Sequence, residues 1–274
     1  MDVATLVREA TDHLVLAVLV LTRLGMMLMA MPAVGVGVPR RVRALLALLI
    51  TMMLVPAVAA PAGQDELPQF SALIPLIIAM AREAVVGMFI GATVQLVITG
   101  FQTGGEIMSG TSGMQLGDAV DPTTSSSMPT TARLIGLMVT AIFLAIGGHR
   151  WMIGSLVDSF AAMPAGHVVL ADSLLETIVS QLVGGMSAGV RIAAPVVAAL
   201  LLSNLVTGLI SRTLPQINVL AIGLPINALT LLMVLALSIT SIGYVFQDEL
   251  VAALEQLERL FDAGGIAVAA GGGG

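Results

Sequence analysis

Long apolar stretches alternate with short polar connections along this 274-residue chain. Each stretch has at least about the 20 residues that a helix needs to cross a hydrocarbon core of ~30 Å. Six of them lie at about 14–31, 42–60, 70–100, 131–148, 174–210 and 219–246. The pattern predicts an all-α integral membrane protein with about six hydrophobic segments.

Two of the stretches, 70–100 and 174–210, are longer than one crossing requires, and charge or proline interrupts both of them. The first contains Arg82 and Glu83, and the second contains Arg191 and Pro195. We expect that these helices bend or re-enter, or that only part of each faces lipid.

The amino-acid composition argues against most classes of protein other than a membrane protein. The chain is 57% apolar and 10% charged, with a mean hydropathy of +1.03, whereas a soluble domain keeps about a quarter of its residues charged. It has no cysteine and no lysine, only three scattered histidines, and a net charge of −6. We therefore predict no enzymatic activity, no metal, no cofactor and no nucleic-acid partner.

Charged residues within apolar stretches are costly and usually have a reason. One interpretation is an ion or proton path. The other is that these residues pair with one another or with a neighbouring subunit. The residues concerned are Arg23, Arg82, Glu83 and Arg191.

Glycines repeat at a four-residue period and predict close helix packing, because backbones without side chains can approach each other. The pairs assigned to packing are Gly87–Gly91 and Gly185–Gly189, and similar pairs occur at Gly100–Gly104 and Gly113–Gly117.

The main polar segment, 101–130, predicts a long loop whose part 104–122 is rich in glycine. Permissive backbone together with adaptable methionine side chains is compatible with a deformable seal, and an ordinary flexible loop is the alternative. The residues of interest are Gly105, Glu106, Met108, Gly110, Gly113, Met114, Gly117, Asp121 and Pro122.

The end of the chain changes character. Apolar residues recur at steps of three and four between acidic residues over 247–262, which predicts a short amphipathic helix. Residues 263–274 end in four glycines and predict a flexible tail. Residues 1–262 are predicted to form one domain. The cluster Arg40, Arg41 and Arg43 predicts a cytoplasmic 32–43 loop.

Several ordered motifs together resemble the FliR family of the type III export gate, whose injectisome counterpart is SctT. They are Arg23, Pro32 and Val38-Pro39 with Arg43, then Glu83 and Gly87, Gly105-Glu106, Gly113 and Asp121-Pro122, Gly148-His149 with Ser159-Phe160 and Pro164, and Ser211-Arg212 through Asn218 with Gly223-Leu-Pro225. The sequence departs from the family at Thr111 and Ser112, and at Asn227, where a basic residue is common.

The resemblance implies helical hairpins and a channel subunit in a hetero-oligomeric gate with FliP and FliQ homologues, contacted by FlhB and FlhA homologues. Such a gate lies in the bacterial inner membrane and exports unfolded flagellar proteins. Segment 104–122 corresponds to the family's pore plug. The charged residues, with Arg212 among them, would hold subunits together through ion pairs.

Three alternatives stay open at this stage. The loop has the flagellar form, but an injectisome gate subunit is the nearest alternative. A stand-alone secondary transporter would need paired broken helices in corresponding halves of the chain, and 104–122 has no counterpart in the second half. An intramembrane enzyme would need a nucleophile with its base, or a set of metal ligands.

Overall fold

The computed structural model describes residues 3–32, 38–59, 73–114, 128–168, 174–214, 216 and 218–271. Within these ranges the chain forms seven α-helices and no β-strand. The helices are α1 Val3–Ala30, α2 Arg40–Ala59, α3 Leu73–Ser112, α4 Thr130–Ala145, α5 Gly148–Ala162, α6 Leu174–Thr213 and α7 Val219–Gly271. The prediction of an all-α fold is confirmed.

Five helices of the described chain, α1, α2, α3, α6 and α7, are long and apolar enough to cross a membrane. Helices α4 and α5 together would form a sixth span. A helix suits this environment because it satisfies its backbone hydrogen bonds internally. The chain is therefore a multi-pass membrane protein, as its apolar stretches predict.

The two over-long stretches are each one continuous helix. Helices α3 and α6 both have 40 residues, and Pro195 lies inside α6. A helix of this size is about 60 Å long at 1.5 Å per residue. Because that is about twice the thickness of the hydrocarbon core, part of each helix extends beyond it at ordinary tilt angles.

The chain divides into two compact units. The first consists of Met1–Gln95, Gly147–Val179 and Ala252–Gly274. In this unit α2 packs against α1 and also contacts α5, so the first two helices form a hairpin. The second consists of Leu96–Ile146 and Ser180–Val251. Its core includes an edge-to-face pair of Phe101 and Phe246, with ring centroids 5.5 Å apart.

The prediction of a loop over 104–122 is wrong for its first part, because α3 continues to Ser112. Glycine lowers helix propensity by about 1 kcal/mol per residue, but packing against other helices overrides this preference. A Cβ at Gly105 would lie 2.6 Å from Cα of Ala132, so a neighbouring helix requires glycine there. The helix ends at Ser112, and the next residue, Gly113, has a φ of +76°. Residues 115–127 lie outside the described part of the chain.

The separate amphipathic helix predicted for 247–262 is also corrected. These residues continue α7, a single helix of 53 residues. Its apolar positions Leu250, Leu257 and Phe261 are buried, so the amphipathic pattern itself is present. Helix α7 extends to Gly271 and so includes most of the segment predicted as a flexible tail, whose flexibility stays a prediction. The alanines there favour helix, and no proline interrupts them.

Candidate functional site

A buried ion pair joins α1 to α3 in the first unit. Arg23 lies on α1 and Glu83 on α3, and both side chains are 0% exposed. Arg23 Nε donates to Glu83 Oε2 at 2.5 Å. Sequence reasoning singled out both residues, and the structure brings them together across 60 positions of the chain.

Both terminal nitrogens of the Arg23 guanidinium also donate hydrogen bonds. Arg23 Nη1 donates to Ser159 Oγ at 2.9 Å, and Arg23 Nη2 donates to the Met163 carbonyl at 3.1 Å. The guanidinium also lies 4.0 Å from the ring centroid of Phe160. A buried charge is tolerated only when it is paired and hydrogen-bonded, and this one meets both conditions.

The carboxylate is equally well satisfied. Glu83 Oε1 accepts a hydrogen bond from the backbone N–H of Gly166 at 2.8 Å. Gly166 has a φ of +85°, a backbone conformation that favours glycine. An enclosed carboxylate with a hydrogen bond to each oxygen lacks the access to water that a proton path requires. The contacts therefore favour pairing over transport for Arg23 and Glu83.

Glycines on α3 allow α1 to come this close. A Cβ at Gly87 would overlap the backbone carbonyl of Arg23 itself. One turn further along, a Cβ at Gly91 would lie 2.6 Å from both the Ala30 Cβ and the Met27 carbonyl oxygen. The packing assigned to Gly87 and Gly91 thus occurs where the ion pair crosses between helices.

The other predicted intramembrane charges lie at the surface of the chain. Arg82, Arg191 and Arg212 are exposed. Arg82 Nη1 approaches the Val168 carbonyl at 3.4 Å. None of the three forms an ion pair with a described carboxylate. Their predicted role in contacts with other subunits stays a prediction.

In the second unit, α3 and α6 cross through glycines on both helices. Added Cβ atoms at Gly100 and Gly104 would overlap the backbones of Gly185 and Gly189 respectively. In the reverse direction, a Cβ at Gly189 would overlap the Gly100 carbonyl. This is the close backbone approach that small residues at a four-residue period allow, and it includes the predicted pair Gly185–Gly189.

A polar cluster closes the C-terminal end of α3 in the same unit. Asn227 of α7 is buried and donates from Nδ2 to the Ser112 carbonyl at 3.2 Å and to Asn204 Oδ1 at 2.7 Å. Asn204 Nδ2 donates to the Thr111 carbonyl at 3.2 Å. Ser203 Oγ donates to Asn227 Oδ1 at 2.8 Å. We call Ser203, Asn204 and Asn227 the amide cluster.

The predicted plug residues have different environments. Gly105 and Met108 are buried inside the second unit, whereas Glu106 and Gly110 are exposed. Gly113 and Met114 are half-buried at the end of α3. Gly117, Asp121 and Pro122 lie outside the described residues.

Sequence reasoning assigned no site role to the amide cluster, nor to the residues that bind Arg23. A signal was present for Ser203 and Asn204, which are polar residues within the apolar stretch 174–210. Ser159 and Phe160 belong to one of the ordered motifs. Among the described residues, no group of histidine, aspartate and glutamate could hold a metal ion.

These observations define a class: a multi-pass helical membrane protein whose buried polar groups bind its own helices to one another. The sequence profile of the bacterial export proteins, family 1, matches residues 14–253, and the chain therefore belongs to that family.

Its relatives carry the name that the ordered motifs indicate. The chain is 30% identical to the flagellar biosynthetic protein FliR of Caulobacter vibrioides over 85% of its own length and 91% of the relative's. It is 32% identical to FliR of Escherichia coli K12, over 70% of its own length and 71% of the relative's. It is 27% identical to FliR of Pectobacterium carotovorum, over 73% of its own length and 75% of the relative's. The resemblance to the FliR family is confirmed.

Proposed function

We propose that this protein is a channel subunit of the flagellar type III protein export gate in the bacterial inner membrane. In this role it helps to form and close the pore through which unfolded flagellar proteins leave the cytoplasm. It assembles with FliP and FliQ homologues, contacts FlhB and FlhA homologues, and catalyses no reaction. The observation that carries the proposal is the family match over residues 14–253, together with relatives named FliR.

Exposed arginine on an apolar helix supports an assembled state. Arg191 lies near the middle of α6, a helix apolar enough to cross a membrane, and its neighbour Val190 is also exposed. A lipid-facing arginine at the centre of a span costs about 2.5–3.5 kcal/mol or more. A carboxylate from another subunit would remove this cost. We assign Arg191, Arg82 and Arg212 to such intersubunit contacts.

Recovery of the complex tests the assembly. We expect Arg191→Ala and Arg82→Ala to lower the amounts of FliP and FliQ homologues that co-purify with the tagged chain. The matched control is Arg259→Ala, because Arg259 is also exposed but already pairs with Glu255 on the acidic part of α7. Full recovery of the partners with both variants would contradict the assignment. A folded, monomeric chain that binds a solute would instead support the transporter alternative.

The closing role is assigned to Gly105 through Asp121. Its support is the position of Gly113, a predicted plug residue that ends α3 with a positive φ, where the chain leaves the helix. Because Gly105 and Met108 are buried in the helix packing, they anchor this segment rather than obstruct the pore. The closure itself then begins beyond Ser112.

Ion conductance of the assembled gate tests the closure. We expect that replacing residues 115–121 by a shorter Gly–Ser linker raises the conductance of the gate to small ions. The same shortening of residues 62–68, between α2 and α3, is the control and should leave the conductance unchanged. An assembled gate that conducts no more than the unaltered one would remove the closing role and leave family membership untouched.

A further inference from the structure

The C-terminal end of α3 is capped by side chains from two other helices. The last carbonyls of a helix have no N–H partner within it, so they require donors from elsewhere. Here the Thr111 carbonyl receives one from Asn204 of α6, and the Ser112 carbonyl receives one from Asn227 of α7. Both donors are neutral amides.

The contacts fix the orientation of the Asn227 amide. Its Nδ2 faces two acceptors, the Ser112 carbonyl and Asn204 Oδ1, and its Oδ1 faces the hydroxyl of Ser203. Reversing the amide would place an oxygen against two oxygens. The asparagine at this position therefore serves as a donor to the end of α3 and as an acceptor from α6.

Two further features hold the same helix end. Ser112 is buried; its Oγ donates to the Ser109 carbonyl and accepts from the backbone N–H of Met114. Gly113 takes the left-handed conformation, and a Cβ there would lie 3.4 Å from the Leu224 side chain of α7. The last turn of α3 is thus bound through the amide cluster, whose Asn204 is exposed and whose Ser203 is half-buried.

Neutral amide hydrogen bonds of this kind are individually modest, and water can replace them where the cluster is exposed. They suit a helix end that is held in one state and released in another. A buried ion pair would not, because breaking it leaves an uncompensated charge.

We infer that the amide cluster is a positioning site that holds the last turn of α3, and with it Gly113 and Met114, in the closed state of the gate. This inference rests on the proposed closing role of the segment that follows α3. Loss of the donor at residue 227 releases the helix end and favours the open state.

Two variants at Asn227 separate this role from a general effect on packing. Asn227→Asp has the same shape but presents an oxygen to the Ser112 carbonyl, whereas Asn227→Lys keeps N–H donors and loses the acceptor. We expect about tenfold higher conductance for Asn227→Asp in the assembled gate. Asn227→Lys loses only the hydrogen bond from Ser203, so we expect its conductance to rise by no more than about threefold. Equal conductance in these two variants would overturn the inference.

A milder pair of variants keeps the test decisive if Asn227→Asp fails to assemble. Ser203→Ala removes one hydrogen bond to the cluster and should raise conductance about threefold. Ser211→Ala is the matched control on the same helix, since Ser211 Oγ donates only to the Gly208 carbonyl of its own turn. No difference in conductance between the two serine variants would contradict the positioning role.

Combination with the linker variant distinguishes this inference from the proposed function. If the amide cluster acts through the closing segment, Asn227→Asp should add nothing to a gate whose residues 115–121 are already replaced. Added conductance in the combined variant would show that the cluster acts elsewhere, and the inference would be wrong. A linker variant that fails to leak would remove the closing role itself. If the linker variant raises the conductance but Asn227→Asp leaves it unchanged, only the inference would be wrong.

Discussion

The two halves of α3 cross their neighbours in the same way but are held by different chemistry. Residues Gly87 and Gly91 bring the first half against α1, and Gly100 and Gly104 bring the second half against α6. In the first crossing the polar contact is a charge pair with 0% exposure. Beyond the second crossing, the end of α3 is held by the amide cluster, a set of neutral amides and a hydroxyl that is partly open to solvent.

This difference indicates what each crossing is suited to do. A buried ion pair whose charged nitrogens and oxygens each take part in a hydrogen bond is costly to separate, because each charge would be left in a low dielectric. Neutral amides exchange their partners with water at little cost. The α1–α3 crossing is therefore the permanent part of the fold, and the end of α3 is the part that can be released.

The largest expected effect comes from removing one charge of the pair. Glu83→Ala leaves Arg23 buried without its carboxylate, and the N–H of Gly166 loses its acceptor. We expect the free energy of unfolding to fall by about 3–5 kcal/mol. The measurement is denaturation of the purified protein in detergent, followed by loss of helical signal.

The exposed pair on α7 provides the control. Glu255 and Arg259 are 3.6 Å apart with mostly exposed side chains. Glu255→Ala should therefore change the free energy of unfolding by less than about 0.5 kcal/mol. Equal losses for the Glu83 and Glu255 variants would contradict the stabilising role assigned to the buried ion pair.

The next effect tests whether the two crossings share a steric requirement. Gly189→Ala places a Cβ into the Gly100 carbonyl, and Gly87→Ala places one into the Arg23 carbonyl. Because the obstacle is backbone in both cases, each should lower the free energy of unfolding by about 1–3 kcal/mol.

Two other glycines are matched controls. Gly208 on α6 and Gly25 on α1 have open space where a Cβ would stand. Alanine at these positions should be neutral or stabilise the helix by up to about 1 kcal/mol. If Gly189→Ala or Gly87→Ala were as well tolerated as the controls, the helices would not depend on close backbone contact at these positions.

The sequence predicts the helices and the unusual charges well, because both depend on local composition. Apolar runs of sufficient length identify the spans, and a charge such as Arg23 or Glu83 within a run stands out. The period of four in Gly185 and Gly189 likewise indicates a contact surface. Each of these signals lies within one segment of the chain.

The partners of these residues were not predictable, because they come from distant segments. Arg23 binds Ser159 and Met163, more than a hundred positions away. Glycine content predicted a loop at 104–112, whereas packing against α4 and α6 makes these residues helical. Asn227 stood out in the sequence only as a departure from the family, because its contacts depend on where α3 ends.

The smallest expected effect compares one chemical change in both crossings. Ser159 Oγ accepts from the buried guanidinium of Arg23, so Ser159→Ala leaves a charged donor without an acceptor. Ser203 Oγ donates to a neutral amide near solvent, and water can replace it. We expect losses in the free energy of unfolding of about 1.5 kcal/mol for Ser159→Ala and about 0.5 kcal/mol for Ser203→Ala.

Ser203→Ala should raise the conductance of the gate, whereas Ser159→Ala should lower stability and leave conductance unchanged. If Ser203→Ala costs as much stability as Ser159→Ala, the end of α3 is held as permanently as the ion-pair crossing, and release at this helix end is wrong.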